Sequence, residues 1–144
     1  MLIVLLVLCW GGAGYLITKP TDHHNYRKAA VQAAESAYDA VGTVRLTVEA
    51  SLEGRTFPPY LTSTLDDERQ ALAGAAKEFT AKSPPDDTTT KMRDELAPLL
   101  VAANARLGET EQAAQDGDDH ALQEAVKQLR PLGERLSGFV EAHR

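Results

Sequence analysis

The stretch DHHNYRKAAVQAAESAYDAVGTVRLTVEASLE, residues 22–53, decides the fold of this chain. Its apolar side chains recur in steps of four and three residues, close to the roughly 3.5-residue repeat of helices packed nearly parallel in a bundle. Asp22 suits an N-cap and Gly54 suits a C-terminal stop. The pattern predicts one helix from about Asp22 to Glu53, bordered by Tyr26 and Tyr38, with these inward positions: Ala30, Ala34, Ala37, Val41, Val44, Val48 and Leu52.

Three breaks divide the rest of the chain, at residues 54–59, 83–87 and 116–119. They predict a second helix that starts between Pro59 and Asp66 and ends near Lys82, a third over about 88–115, and a fourth over about 119–142. Apolar residues at helical spacing give each of them an inward stripe. The three stripes are Leu61, Leu65, Leu72, Ala75 and Phe79; Met92, Leu96, Leu99, Ala103, Leu107 and Ala114; and Leu122, Val126, Leu129, Leu136 and Phe139.

No stretch shows the two-residue alternation of a strand, so the predicted class is all-α. Pro98 and Pro131 lie inside the third and fourth helices and should kink them. Because short connections favour antiparallel neighbours, we expect residues 20–144 to form a soluble, up-down-up-down four-helix bundle.

The segment Met1–Ile17 carries no charged side chain and differs sharply from the polar remainder. Seventeen helical residues reach roughly 25 Å, nearly the width of a hydrocarbon core, so residues 1–19 are expected to be a single-pass transmembrane anchor. The alternative is a cleaved signal peptide, with Gly11 and Ala13 at the small-residue positions before the cut. Either interpretation makes the membrane a partner of the chain through this N-terminal segment.

The orientation of the segment is open to two interpretations. Lys19, Arg27 and Lys28 follow the apolar run and no basic residue precedes it, which by the positive-inside rule favours a cytoplasmic C-terminus. The Gly and Ala residues toward the C-terminal end of the segment instead favour secretion, and a start codon further upstream could supply the missing basic residues. We expect the domain outside the cytoplasm, held at the cell membrane or secreted after cleavage.

The charge of the soluble part excludes several functions. All 21 acidic residues but only 14 of the 15 Lys and Arg follow residue 20, which gives this part a net charge of −7. Nucleic acid is therefore not an expected partner, since phosphate contacts need clustered basic residues. Cys9 is the only cysteine, so neither an intramolecular disulfide nor a cysteine-based zinc site is expected.

Motifs of catalysis are missing from the sequence. It contains no Gly-x-Ser-x-Gly turn, no Gly-rich phosphate loop and no His-Glu-x-x-His. We expect no enzyme activity and no cofactor.

The expected topology brings histidine and aspartate residues to one end of the bundle, where they could form a metal site. These residues are His23, His24, His143, Asp86 and Asp87. Adjacent histidines diverge on a helix, so the simpler interpretation is that these residues are solvated polar helix ends.

Asp116-Gly117-Asp118-Asp119 resembles a cation loop only superficially, because the alternating ligands and distal Glu of an EF-hand are missing. A glycine that stops one helix and an Asp that caps the next explain it fully.

The segment Phe57-Pro58-Pro59-Tyr60 places two aromatic residues around a stiff diproline, at the end of the bundle far from the membrane. Such a turn can dock on a protein partner, which makes these four residues the candidate partner-binding site. In the simpler interpretation Phe57 packs inward and staples the start of the second helix. The sequence thus predicts an anchored or secreted module acting through protein contacts, with a bundle that binds a small ligand or a metal as the alternative.

Overall fold

The computed structural model describes residues 22–144, and the hydrophobic segment over residues 1–19 lies outside this part. The described chain is all-helical, which confirms the predicted class for these residues. It contains four helices and no strand: α1 His23–Leu52, α2 Pro58–Thr80, α3 Asp87–Asp116 and α4 Asp119–His143. None of these four helices has the length and apolarity needed to cross a membrane.

Local side-chain chemistry fixes most of the helix ends. The Asp22 carboxylate accepts a hydrogen bond from the Asn25 N–H at 2.8 Å and caps α1. Asp118 caps α4 in the same way, through the Ala121 N–H at 3.0 Å. Gly54 and Gly117 follow α1 and α3 with φ of 71° and 64°, a left-handed conformation that glycine adopts without steric cost.

Helix α2 begins earlier than the predicted range from Pro59 to Asp66. Pro58 is its first residue and Phe57 its N-cap, although no side chain caps this end. Proline fits the first turn of a helix because its missing N–H has no intrahelical acceptor there, and its φ is already helical. The diproline therefore starts this helix, and the predicted start was wrong.

The helices form a ring in which each packs against the next and α4 returns to α1. Side-chain contacts show the antiparallel order. Tyr26 near the start of α1 stacks on Phe79 near the end of α2, and Arg69 of α2 donates to Glu111 of α3 at 2.6 Å. Across the ring α1 also contacts α3, whereas α2 and α4 make no contact within residues 22–144. The described domain is an up-down-up-down bundle.

The predicted stripes form the core. Nearly all of their members are buried, and the exceptions Leu52, Ala75, Ala114 and Val126 are partly buried. The two tyrosines expected to border the stripe of α1 behave differently, because Tyr26 is completely buried while Tyr38 remains 46% exposed. The border position was therefore wrong for Tyr26, which belongs to the core, whereas the half-exposed Tyr38 fits a border position.

Small side chains explain why α1 reaches α3 across the ring. Its buried face carries five alanines, which let a neighbouring backbone come close: Ala30, Ala33, Ala34, Ala37 and Ala40. Pro98 and Pro131 lie within α3 and α4, and both helices continue through them. The kinks expected at these prolines stay a prediction.

Candidate functional site at the distal end

The bundle has two chemically different ends. We call distal the end that carries the connection 53–57 and the turn at Gly117–Asp118. We call proximal the end where Asp22 starts α1 and where the connection 81–86 and Arg144 lie. The predicted partner-binding segment lies at the distal end and the predicted metal residues lie at the proximal end.

The two aromatic side chains of the predicted segment lie on the distal surface. Phe57 is 80% exposed and Tyr60 is 61% exposed. The first turn of α2 holds them, since the N–H groups of Tyr60 and Leu61 donate to the Phe57 carbonyl at 3.0 and 3.1 Å. Leu61, directly below, is buried in the core and anchors this turn. The segment is thus a stiff projection with two aromatic residues, and we call Phe57–Tyr60 the aromatic turn.

The alternative interpretation of Phe57 as a hydrophobic staple is wrong. A staple residue must pack against the fourth residue of its helix, which would cover its ring. The ring of Phe57 instead faces solvent over most of its surface. A two-proline start fixes the backbone at the beginning of the helix without such a staple.

Acidic groups lie at the same end of the bundle as the aromatic turn. Arg55 donates to Glu53 at 2.6 Å, so these two charges neutralise each other. The turn between α3 and α4 adds three acidic residues that form no ion pair within residues 22–144, namely Asp116, Asp118 and Asp119. The distal surface therefore combines two exposed aromatic rings with net negative charge.

The predicted proximal metal residues are not brought together. His23 Nδ1 lies 2.9 Å from Asp86 Oδ2, and His143 Nε2 lies 3.2 Å from Glu95 Oε2. The two histidines thus belong to separate pairs, and each pair ties a helix end to α3. Within residues 22–144 no three His, Cys, Asp or Glu side chains are grouped so that they could hold a metal ion.

Asp86 has the largest pKa shift at the proximal end. Its carboxylate accepts hydrogen bonds from the Thr89 N–H at 2.8 Å, from the His23 ring and from the Thr89 hydroxyl at 2.9 Å. These donors favour the ionised form and lower the pKa of Asp86 from 3.8 to about 2. Since the carboxylate also caps α3, its role is structural.

The Asp-rich turn between α3 and α4 has the conformation expected for two helix ends. Gly117 closes α3 with its left-handed φ, and Asp118 caps α4. This confirms the interpretation of the stretch as a stop followed by a cap.

Several grooves lie along the contact between α1 and α4, and the stripe pattern of the sequence did not predict them. One, of about 520 Å³, lies beside Gly42, Gly133 and Gly138, where missing side chains leave space. Another, of about 320 Å³, lies at the proximal end between the first turns of α1 and the last residues of α4. Three glycines in the interiors of two neighbouring helices, one in α1 and two in α4, are the signal that points to the groove of about 520 Å³.

Comparison with known proteins finds no matching family model, no matching curated protein and no matching solved structure. The function must therefore be argued from the geometry of the chain itself.

Proposed function

We propose that this protein is a membrane-anchored or secreted helical-bundle module that acts outside the cytoplasm through protein contacts, without catalysis of its own. The observation that carries the proposal is the exposure of Phe57 and Tyr60, at 80% and 61%, on one hydrogen-bonded turn. Single exposed apolar residues are ordinary on protein surfaces, but aromatic side chains in a stiff, preordered turn are typical of binding hot spots.

The placement of the aromatic turn supports a tethered display. Residues 1–17 are uncharged and lead to Asp22 at the proximal end. Helix α1 has 30 residues and is therefore about 45 Å long. With residues 1–19 as the membrane anchor, the bundle holds the aromatic turn roughly that far above the lipid surface, where another protein can reach it.

The charge around the aromatic turn indicates the chemistry of the partner. Asp116, Asp118 and Asp119 lie at the same end of the bundle, and acidic surfaces favour encounter with basic ones. We therefore infer a partner protein with an apolar pocket for the two rings, bordered by Lys or Arg. Association should accordingly slow as salt is added, because screening weakens attraction between exposed charges.

A photocrosslinking amino acid incorporated at position 60 of the full chain tests the proposal in intact cells. We expect a discrete crosslinked partner that disappears in the Phe57→Ala variant. The matched control carries the photocrosslinking amino acid at position 46 in α1, since Leu46 is 59% exposed on the side of the bundle. Phe57→Ala should change the free energy of unfolding by no more than about 0.5 kcal/mol, as for other surface substitutions.

Two results would contradict the proposal. One is the same set of crosslinked proteins at positions 46 and 60. The other is a crosslinked partner at position 60 whose yield does not change in Phe57→Ala. Crosslinking that depends on Phe57 but not on salt would retain the proposed site and reject only the basic character of the partner.

A bundle that binds a small ligand is the second candidate, because of the 520 Å³ groove between α1 and α4. Arg45, Arg130, Glu134 and Tyr38 border this groove, so its wall offers charges of both signs and an aromatic ring. Mass spectrometry of small molecules retained by the purified chain tests this function. A retained compound that is lost in Gly138→Leu, which fills the groove, would favour it over the protein-contact module.

A further inference from the structure

The groove of about 320 Å³ at the proximal end is basic on a protein that is otherwise acidic. Arg27 and Lys28 of α1 lie on one wall, and Arg144 lies on the other. The acidic residue of the groove, Glu35, accepts a hydrogen bond from Arg144 at 2.9 Å and is neutralised by it. Arg27 and Lys28 form no ion pair within residues 22–144, so their charges remain available to a ligand.

Two histidines extend the set of possible hydrogen-bond donors. His24 and His143 both border the groove. The ring of His143 packs at a tilt against Phe139, with centroids 4.4 Å apart, and its Nε2 lies next to Glu95, so this imidazole is held in place. The end of α4 carries a partial negative charge, which Arg144 offsets, and the start of α1 carries a partial positive charge. The groove therefore favours an anion.

The position of the groove selects the kind of anion. It lies at the end of the bundle where residue 22 continues from the hydrophobic segment 1–17, so a membrane that takes up this segment lies directly next to it. A volume of about 320 Å³ accommodates a phosphate with its attached glycerol portion. Clustered Lys and Arg next to a bilayer are the recognised physical basis for binding anionic headgroups.

We propose that this groove binds the phosphate headgroup of an anionic phospholipid and thereby seats the proximal end of the bundle on the membrane surface. The bound group would lie against Arg27 and Lys28, with Arg144, which is paired with Glu35, on the opposite wall. The proposal rests on the membrane anchor of the proposed function, but it does not depend on what the aromatic turn binds.

Native mass spectrometry of the full chain in detergent tests the proposal with two defined probes, phosphatidylglycerol and phosphatidylcholine. We expect phosphatidylglycerol adducts to form preferentially. Replacing two basic residues in the Arg27→Gln/Lys28→Gln variant should weaken that binding about thirty-fold. The matched control is Lys77→Gln/Lys91→Gln, which removes two exposed charges from α2 and α3 at the same end, outside the groove, and should bind like the parent chain.

Three outcomes would overturn the proposal. Equal binding of the two lipids would show that the hydrophobic segment, present in every variant, alone retains them. Equal losses in the two double variants would show a nonspecific effect of charge. Full displacement of phosphatidylglycerol by inorganic phosphate, at concentrations where chloride has no effect, would assign the groove to a free phosphate ion.

Discussion

Among single residues, Tyr26 is the least expected feature of the core. Its side chain is completely buried, its ring stacks on Phe79 with centroids 5.5 Å apart, and its hydroxyl has no hydrogen-bond partner. Burial raises the pKa of this phenol, because the charged form is disfavoured away from water; Arg93 opposes this effect and Asp94 adds to it. The sequence suggested a residue at the border of the stripe, and nothing in its spacing indicated an unpaired hydroxyl.

Removing the hydroxyl should therefore stabilise the fold. A buried polar group without a partner costs about 1–3 kcal/mol, so Tyr26→Phe is expected to raise the free energy of unfolding by about 1 kcal/mol. Urea denaturation of the full chain, followed by circular dichroism, measures the change. Tyr38→Phe, at an exposed tyrosine of the same helix, should have no measurable effect. A less stable Tyr26→Phe would mean that the hydroxyl is hydrogen-bonded after all.

Asp86 makes the pH dependence of stability predictable. Its pKa in the folded chain is about 2, below the ordinary 3.8, because the Thr89 N–H and the His23 ring favour the carboxylate. A lowered pKa of an acid contributes stability that is complete above the unfolded value and is lost as the pH falls through the folded one. This contribution is therefore present at neutral pH and disappears between about pH 4 and pH 2.

The Asp86→Asn variant isolates that contribution. Asparagine is also a good N-cap, so the substitution keeps the cap and removes mainly the titrating charge. We expect the variant to be less stable than the parent at neutral pH and the difference to shrink toward pH 2, measured as urea midpoints across the pH range. Asp87→Asn is the control, since Asp86 and not Asp87 accepts the capping hydrogen bonds. A difference that stays constant with pH would contradict the assigned pKa.

At the scale of helices, the sequence was sufficient where a local signal decides the structure. The caps at Asp22 and Asp118 and the stops at Gly54 and Gly117 act through neighbouring residues, so they can be recognised without tertiary information. Helical spacing also identified the core, because each helix buries one face and this sets the spacing of its apolar residues.

Features that depend on two or more helices were not predictable in the same way. The exposure of Phe57 depends on how the start of α2 packs against the other helices. Proline at the first position of α2 is compatible with either a buried or an exposed Phe57. The pairing of His23 with Asp86 joins α1 to α3. The basic groove joins Arg27 to Arg144, at opposite ends of the described chain, and only the packing of α4 against α1 brings them together.

Two glycines, one inside α3 and one just after its end, should respond in opposite directions to the same substitution. Gly117 has a φ of 64°, so Gly117→Ala forces a side chain into a left-handed conformation and should cost about 1 kcal/mol of stability. Gly108 lies inside the helix, and a Cβ there meets no atom within 4 Å, so Gly108→Ala should add about 1 kcal/mol. Thermal denaturation of both variants measures the pair. Equal signs would contradict the assigned end of α3.

At the scale of the whole molecule, the two ends of the bundle carry different surfaces. The distal end combines exposed aromatic rings with acidic residues that form no ion pair within residues 22–144, and the proximal end, where α1 begins, has a basic groove. An anionic bilayer would attract the proximal end and repel the distal end, and both effects would point the distal end of α1 away from the lipid. The proposed anchor and the proposed headgroup site would thus both hold the proximal end at the membrane, but the anchor would bind the membrane much more strongly than the headgroup site.

That difference predicts how the chain behaves without residues 1–21. Buried residues of all four helices form one core cluster within 22–144, so the truncated chain should keep its helical circular dichroism and its cooperative melting. The full chain, with its hydrophobic segment retained, should remain in the membrane fraction through a high-salt wash. The truncated chain, expressed with a cleavable export signal, should bind anionic vesicles weakly through the basic groove and be released by salt, because screening weakens attraction between charges at the surface. Salt-resistant membrane binding by the truncated chain would show that the bundle itself inserts, and loss of its cooperative melting would show that residues 1–21 belong to the fold.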